Sequence, residues 1–110
     1  MGPGVTVLGR RDGEPVLVAT TFRTPAEAVQ IANNTRYGLA ASIWTRDLSR
    51  AHRLAERVEA GTVWINCWML RDLRTPFGGV KQSGIGREGS RHGMDEYVEM
   101  KYVCLSGIDK

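Results

Sequence analysis

The sequence predicts an α/β fold built on a β-α-β unit of a parallel sheet, and two kinds of pattern support this. Residues 39–44 and 62–66 (LAASIW and TVWIN) are continuous apolar runs of strand length, as expected of strands covered on both faces. The stretch between them has the apolar spacing of a helix and is long enough to connect two parallel strands. The middle of the chain therefore alternates strand, helix and strand.

The first helix has a complete set of start signals. Thr24 can cap it, Pro25 suits the first helical position, and Glu27 completes a capping box. We expect this helix to end at Asn33 or Asn34. Before it, residues 5–8 and 16–19 are β-prone runs on either side of a turn-rich stretch, which predicts a hairpin.

The connecting helix begins after Asp47, an N-cap residue, and Gly61 is expected to end it at the C′ position. Its apolar side chains form one stripe, while the arginines lie largely off it. The stripe consists of Leu48, Ala51, Leu54, Ala55 and Val58.

A long glycine-rich loop follows, because periodicity disappears over residues 67–89. A loop of this length in a small domain is usually functional. Residues 90–96 can form a short helix. The segment from Tyr97 to Leu105 then alternates in the manner of a terminal strand.

Composition favours one globular domain, since 42% of the 110 residues are hydrophobic and 25% are charged. The net charge of +3 is scattered along the chain, which argues against a nucleic-acid partner. Cys67 and Cys104 lack the spacing of a zinc site or a disulfide framework, so we expect reduced thiols and a cytoplasmic location. No apolar run approaches the length of a membrane span, roughly 20 residues.

The residues of the loop allow alternative functions. Gly84, Gly86 and Gly89 match the G-x-G-x-x-G dinucleotide motif, but turn residues precede the motif where a strand is required, so positive-φ loop glycines explain it better. Cys67 follows a buried strand and could be a nucleophile, although a buried structural thiol is the better explanation. Arg71 stands in an apolar setting and needs a partner, either its neighbour Asp72 or a substrate carboxylate.

Three motifs in this order make the chain similar to the C-terminal part of the NAD(P)-dependent aldehyde dehydrogenases. They are NNTRYGLAASIWTRD at 33–47, GTVWIN at 61–66 and PFGGVKQSGIGREG at 76–89. Residues 67–74 (CWMLRDLR) most resemble the branch that oxidises 2-hydroxymuconic and 2-aminomuconic semialdehydes. The resemblance implies the last strands and helices of a catalytic domain, followed by a C-terminal strand of the oligomerisation type.

The resemblance also implies roles for three residues. Arg71 matches an arginine that binds the substrate carboxylate, and Trp68 and Phe77 match walls of the substrate tunnel. The family's nucleophilic cysteine, general base and dinucleotide-binding domain match nothing in this sequence, so we expect the chain to be inactive alone. NAD or NADP would serve the full-length family, and we expect neither to bind this chain alone.

The resemblance divides the chain at two points. Residues 1–14 form a divergent N-terminal segment, residues 15–96 belong to the catalytic domain, and residues 97–110 form the terminal strand and tail. The family's Glu-x-Phe-Gly-Pro motif aligns either at Gly2-Pro3 or, without a gap, at Pro15, and the second register replaces its glutamate with Arg11. The expected partners are a small aldehyde in a full-length context and a second copy joined through residues 97–105. A non-catalytic interaction module using that same segment is the alternative function.

Overall fold

The computed structural model describes residues 19–107 of the chain. It contains three helices and four short strands in two sheets; the hairpin predicted over residues 5–19 lies almost wholly outside the described part. The elements are, in chain order, α1 (Pro25–Asn33), β1 (Tyr37–Gly38), β2 (Ala40–Ile43), α2 (Leu48–Arg57), β3 (Thr62–Ile65), β4 (Val80–Lys81) and α3 (Ser90–Asp95).

The predicted β-α-β unit is confirmed. Strands β2 and β3 are parallel, in a register that runs from Ala40 opposite Thr62 to Ile43 opposite Ile65, and α2 connects them. The expectation that both faces of β2 are covered is wrong for the described residues, because every residue of β2 is only half-buried and Trp44 is exposed. Two strands and one crossover helix leave part of such a small sheet uncovered.

The helix α1 begins as predicted, with Thr24 accepting a hydrogen bond from the backbone N–H of Glu27 at 3.1 Å. The carboxylate of Glu27 bonds the backbone N–H of Arg23 at 2.8 Å, one residue earlier than a capping box requires. Asp47 likewise caps α2, accepting from the backbone N–H of Arg50 at 2.9 Å. Local capping chemistry therefore sets both helix starts.

The predicted role of Gly61 is wrong. Helix α2 ends at Arg57 with Val58 as its C-cap, three residues before Gly61. Gly61 instead lies where two backbones meet: its N–H donates to the carbonyl of Gly38 at 3.1 Å, and a Cβ here would overlap the carbonyl oxygen of Gly78. The glycine is required for this close approach.

A second sheet fastens the glycine-rich segment to the rest of the chain. Strands β1 and β4 are antiparallel, with Tyr37 opposite Lys81 and Gly38 opposite Val80. The ammonium of Lys81 donates to the carbonyl oxygens of Asn33 at 2.9 Å and Thr35 at 3.2 Å, and it also pairs with Glu59. The end of α1 is thereby joined to β4.

The predicted terminal strand is not formed in this chain. Helix α3 is present as expected, but residues 98–107 have no regular structure and their side chains are exposed. A strand needs a hydrogen-bonded neighbour, and no strand in the described part of the chain lies beside this segment.

Few side chains of the described residues are buried. The buried hydrophobic residues are Val29, Ala51 and Trp64, whereas sixteen large hydrophobic side chains are exposed. Residues 19–107 also contain no helix long and apolar enough to cross a membrane. The fold thus positions its loops through backbone contacts and glycines more than through a large core.

We expect Gly61→Ala to destabilise the chain by about 1 to 3 kcal/mol, because the new methyl group must displace the Gly78 carbonyl. Urea unfolding followed by tryptophan fluorescence measures this, since Trp64 is buried. Ser49→Ala, on the exposed side of α2, is the control and should change the unfolding free energy by less than about 0.5 kcal/mol. An unchanged unfolding midpoint in Gly61→Ala would contradict the close approach.

Candidate functional site: an arginine in an aromatic cleft

The loop that carries the predicted binding residues is attached to β3 through Trp64. This side chain is 8% exposed, and its indole N–H donates to the carbonyl oxygen of Leu70 at 3.0 Å. The ring of Trp68 packs edge-on against Trp64, with centroids 5.1 Å apart. The loop after β3 therefore turns back over the strand that precedes it.

Asn66 fixes the point where this loop leaves the sheet. Its backbone has a φ of 54°, a conformation that Asn adopts more readily than most residues. Its side-chain amide accepts a hydrogen bond from the N–H of Thr45 and donates one to the carbonyl of Thr45, both at 2.8 Å. This pairing ties the ends of β2 and β3 together, directly before Cys67.

Asp72 organises the next turn and does not pair with Arg71. Its carboxylate binds the guanidinium of Arg74 through two nitrogens, at 2.9 and 2.6 Å. Its carbonyl oxygen accepts from the backbone N–H and hydroxyl of Thr75, at 3.0 and 2.7 Å. The interpretation of Asp72 as the partner of Arg71 is therefore wrong, since a closer arginine occupies this carboxylate.

Arg71 lies between an aromatic ring and a carboxylate. Its guanidinium carbon is 4.8 Å from the centroid of the Phe77 ring, and Nη2 is 3.4 Å from Oε1 of Glu88. Phe77 and Glu88 face each other in an antiparallel bridge, with backbone hydrogen bonds of 2.9 and 2.7 Å. Stacking on the ring holds the guanidinium while leaving much of it open to solvent.

These groups line an open cleft of about 330 Å³, which lies in the lower part of the volume range of small-molecule sites. Trp64, Leu70 and Phe77 supply apolar surface, and Arg71 and Glu88 supply opposite charges. The structure thus brings Arg71 and Phe77 together. Trp68 contacts Trp64 but does not line the cleft. The cleft therefore combines apolar surface with a guanidinium that can bind an anionic group.

Sequence reasoning missed Glu88 as the partner of Arg71. The two residues are 17 positions apart, and only the bridge between Phe77 and Glu88 brings them together. The sequence does hold a weak signal: Phe77 and Glu88 flank a glycine-rich stretch of the kind that folds back on itself.

The other candidate groups are not assembled into a site. Cys67 is half-buried and Cys104 exposed, both with free thiols, and among residues 19–107 no hydrogen bond joins Cys67 to His52 or His92. The described part of the chain also contains no cluster of His, Cys, Asp and Glu that could hold a metal ion.

The glycine motif does not form a dinucleotide turn. The strand before it, β4, is two residues long and antiparallel to β1, and the helix after it, α3, is six residues long. A dinucleotide site needs a parallel strand and a full helix at these places. Gly84 and Gly89 have φ values of 156° and 72°, in agreement with their interpretation as positive-φ loop residues. The interpretation is wrong for Gly86, whose φ is not positive; a Cβ there would instead meet the carboxylate of Glu96. Asp109, which follows the motif at about the spacing of a ribose-binding acid, lies outside the described residues.

The pKa of Asp72 should lie below its ordinary value of 3.8, because the side chain and then the backbone N–H of Arg74 donate hydrogen bonds to the carboxylate. A lowered pKa stabilises the folded turn above about pH 4, and this contribution is lost as the pH falls through the lowered pKa. Carbon-13 NMR titration measures the effect. Arg74→Gln should raise the pKa toward 3.8, whereas Arg91→Gln, on α3, should not; equal values in all three proteins would rule the pairing out.

Known proteins similar to this chain are aldehyde dehydrogenases. The 2-hydroxymuconic semialdehyde dehydrogenase of Pseudomonas sp. strain CF600 is 50% identical over 105 residues, which are 96% of this chain and 22% of that protein. The 2-aminomuconic 6-semialdehyde dehydrogenase of a Pseudomonas species is 54% identical over 96 residues, 87% of this chain and 19% of that protein. The chain spans about a fifth of the length of these relatives.

Solved structures agree with these relatives. A mutant indole-3-acetaldehyde dehydrogenase of P. syringae, in complex with NAD⁺ and IAA, superposes with a TM-score of 0.76 at 54% identity, over 79% of this chain and 18% of its own. Betaine aldehyde dehydrogenase of Staphylococcus aureus with NAD⁺ gives a TM-score of 0.73 at 44% identity, over 76% of this chain and 16% of its own. Because the sequence profile of the aldehyde dehydrogenase family also matches residues 14–103, the chain belongs to that family.

Proposed function

We propose that this chain supplies the carboxylate-binding wall of the substrate tunnel of an NAD- or NADP-dependent aldehyde dehydrogenase, which oxidises a carboxylate-bearing semialdehyde to the acid. The observation that carries the proposal is the guanidinium of Arg71, stacked on Phe77 in the aromatic cleft and 42% exposed. A planar guanidinium with open donors binds a carboxylate through two parallel hydrogen bonds.

The chemistry of the residues that line the cleft supports this substrate class. The apolar walls from Trp64, Leu70 and Phe77 match the carbon chain of a small semialdehyde, and Arg71 matches its carboxylate end. Two of the similar proteins are named for muconic semialdehydes, which carry a carboxyl group at one end and an aldehyde at the other. In our proposal, Trp68 supports the wall through Trp64.

Within the described residues, the cleft offers groups that bind and orient, namely the cation of Arg71, the carboxylates of Asp72 and Glu88, and apolar surface. We therefore propose that residues 15–96 contribute recognition to a catalytic domain, and that turnover depends on the remaining parts of the family's enzyme. The chain alone is then expected to be inactive.

The described residues do not fit a nicotinamide dinucleotide. The single G-x-G-x-x-G segment lacks the parallel strand and the long helix that would direct backbone amides at a pyrophosphate. We propose that NAD or NADP is bound by other parts of the enzyme, as the NAD⁺ complexes of similar proteins suggest. No step of the reaction is assigned to the cofactor on this chain.

A second candidate function rests on residues 97–105. Tyr97, Val98, Met100, Tyr102 and Leu105 are between 61% and 103% exposed, and residues 98–105 have no strand neighbour in the described part of the chain. An exposed, unpaired and apolar segment is a template for adding a strand. We propose that a second copy, or a longer relative, pairs with this segment. The two candidates are compatible.

The anchor role of Arg71 can be tested in a chimera in which residues 14–103 replace the matching part of the CF600 enzyme. Arg71→Ala should raise the Michaelis constant for 2-hydroxymuconic semialdehyde about 30- to 150-fold, because about 2 to 3 kcal/mol of charge-assisted hydrogen bonding is lost. The Michaelis constant for hexanal, which has no carboxylate, should not change. Arg91→Ala is the matched control, and a constant for the semialdehyde that stayed the same in Arg71→Ala would refute the anchor role.

Pairing through residues 97–105 can be measured by analytical ultracentrifugation of the chain at increasing concentration. The chain should sediment as a dimer or a larger species, and Tyr102→Pro should shift it toward the monomer, because proline removes a backbone donor of the shared ladder. Tyr102→Thr keeps the donor and the β-propensity and should retain the assembly. If the wild-type chain stays monomeric at all concentrations, the proposed pairing is wrong.

A further inference from the structure

The contact between Arg71 and Glu88 is loose for an ion pair. Nη2 and Oε1 are 3.4 Å apart, whereas charge-assisted N–H···O bonds are about 2.7 to 2.9 Å long. The two side chains are 42% and 71% exposed, so water and salt screen their attraction. The pair uses a single nitrogen of the guanidinium. Among the described residues, the guanidinium of Arg71 thus makes this one long hydrogen bond, and its other N–H groups remain available to a ligand.

The backbone of Glu88 is nevertheless fixed beside Arg71. Its N–H and carbonyl both bond to Phe77, and directly opposed residues of an antiparallel pair place their side chains on one face. Phe77 carries the guanidinium on its ring while Glu88 extends its carboxylate toward the same group. The carboxylate of Glu88 is therefore held beside the guanidinium donors that the carboxylate of a ligand would use.

We propose that Glu88 is a specificity-determining residue, a built-in competitor that occupies Arg71 until a ligand carboxylate displaces it. This inference rests on the proposed role of Arg71 as the carboxylate anchor. A ligand with a carboxylate can form hydrogen bonds with the guanidinium of Arg71. The negative charge of Glu88 repels the same carboxylate, and this repulsion lowers the affinity of the ligand. A neutral ligand of the same shape meets neither effect. The pair thereby moderates the affinity of the cleft for anions while leaving apolar binding unaffected.

The competitor can be distinguished from an orienting role. If Glu88 served to hold Arg71 in place, removing its charge would weaken the binding of a carboxylate. If it competes, the same change strengthens that binding. Glu88→Gln is a suitable variant because glutamine keeps the backbone bridge to Phe77 and nearly the same volume.

The test uses the full 110-residue chain and two probes of equal length, hexanoate and its neutral amide, hexanamide. Dissociation constants come from NMR titrations that follow the indole N–H of Trp64, which lines the cleft. Glu88→Gln should tighten hexanoate binding about two- to fivefold, the range expected for a screened surface pair, and should leave hexanamide unchanged. Glu56→Gln removes the same charge from the exposed side of α2 and should alter neither constant.

Two further variants keep the outcomes distinct. Glu88→Asp retains the charge but shortens the side chain, so it should tighten hexanoate binding less than Glu88→Gln does. Arg71→Ala should abolish the preference for hexanoate over hexanamide; if it does not, the anchor role itself is wrong. If Arg71→Ala removes the preference while Glu88→Gln leaves hexanoate binding unchanged or weaker, the competitor role alone is overturned.

Discussion

The arrangement of the site depends on the close approach of two glycine backbones, Gly61 and Gly78. Gly61 begins the turn into β3, and Gly78 directly follows Phe77, so their contact brings the glycine-rich segment back to the start of the strand. A side chain at Gly61 would push that segment away. The aromatic partner of Arg71 would move with it. The absence of a side chain at Gly61 thus allows the Trp64 side and the Phe77 side of the cleft to lie opposite each other.

Polar contacts then fix the loop over residues 66–77, where no regular structure does so. The Asn66 amide ties the loop start to Thr45, the Trp64 indole ties its middle to Leu70, and Asp72 closes the last turn with Arg74. Each contact satisfies polar groups that irregular backbone or the buried ring of Trp64 would otherwise leave without partners. The loop is long, but these contacts tie its start, its middle and its last turn to fixed partners.

The elements that the sequence predicts well are those encoded by neighbouring residues. Thr24, Pro25 and Asp47 act within one helical turn, and the apolar runs around residues 39–44 and 62–66 indicate strands without reference to distant parts. Local signals do not predict β1 and β4. Each is only two residues long and is defined by its hydrogen bonds to the other, which lies far away along the chain. The role that the sequence predicts for Gly61 is wrong for a related reason, because Gly78, the residue that it contacts, lies far away along the chain.

The site shows the same limit more sharply. The apolar surroundings of Arg71 indicate that it needs a partner, and the sequence resemblance suggests a ligand for it. The adjacent Asp72 was the natural intramolecular candidate. Electrostatic attraction between neighbours did not decide the outcome, because Arg74 can reach Asp72 with two nitrogens and Arg71 can stack on Phe77. The preference for bidentate geometry and for an aromatic face assigned each arginine its partner.

Arg71, Phe77 and Glu88 form the charged and aromatic part of the cleft and lie close together along the chain. All three lie within residues 62–89, a continuous stretch whose shape depends on contacts with β3 and β1. The charges of Arg71 and Glu88 in the cleft can therefore change through substitutions in this stretch alone. Such substitutions would change the charge and the apolar surface of the cleft while the pairing of β2 with β3 stays as it is. The lining of the cleft can thus vary by substitution in the loop, provided that the close contact of Gly61 with Gly78 is retained.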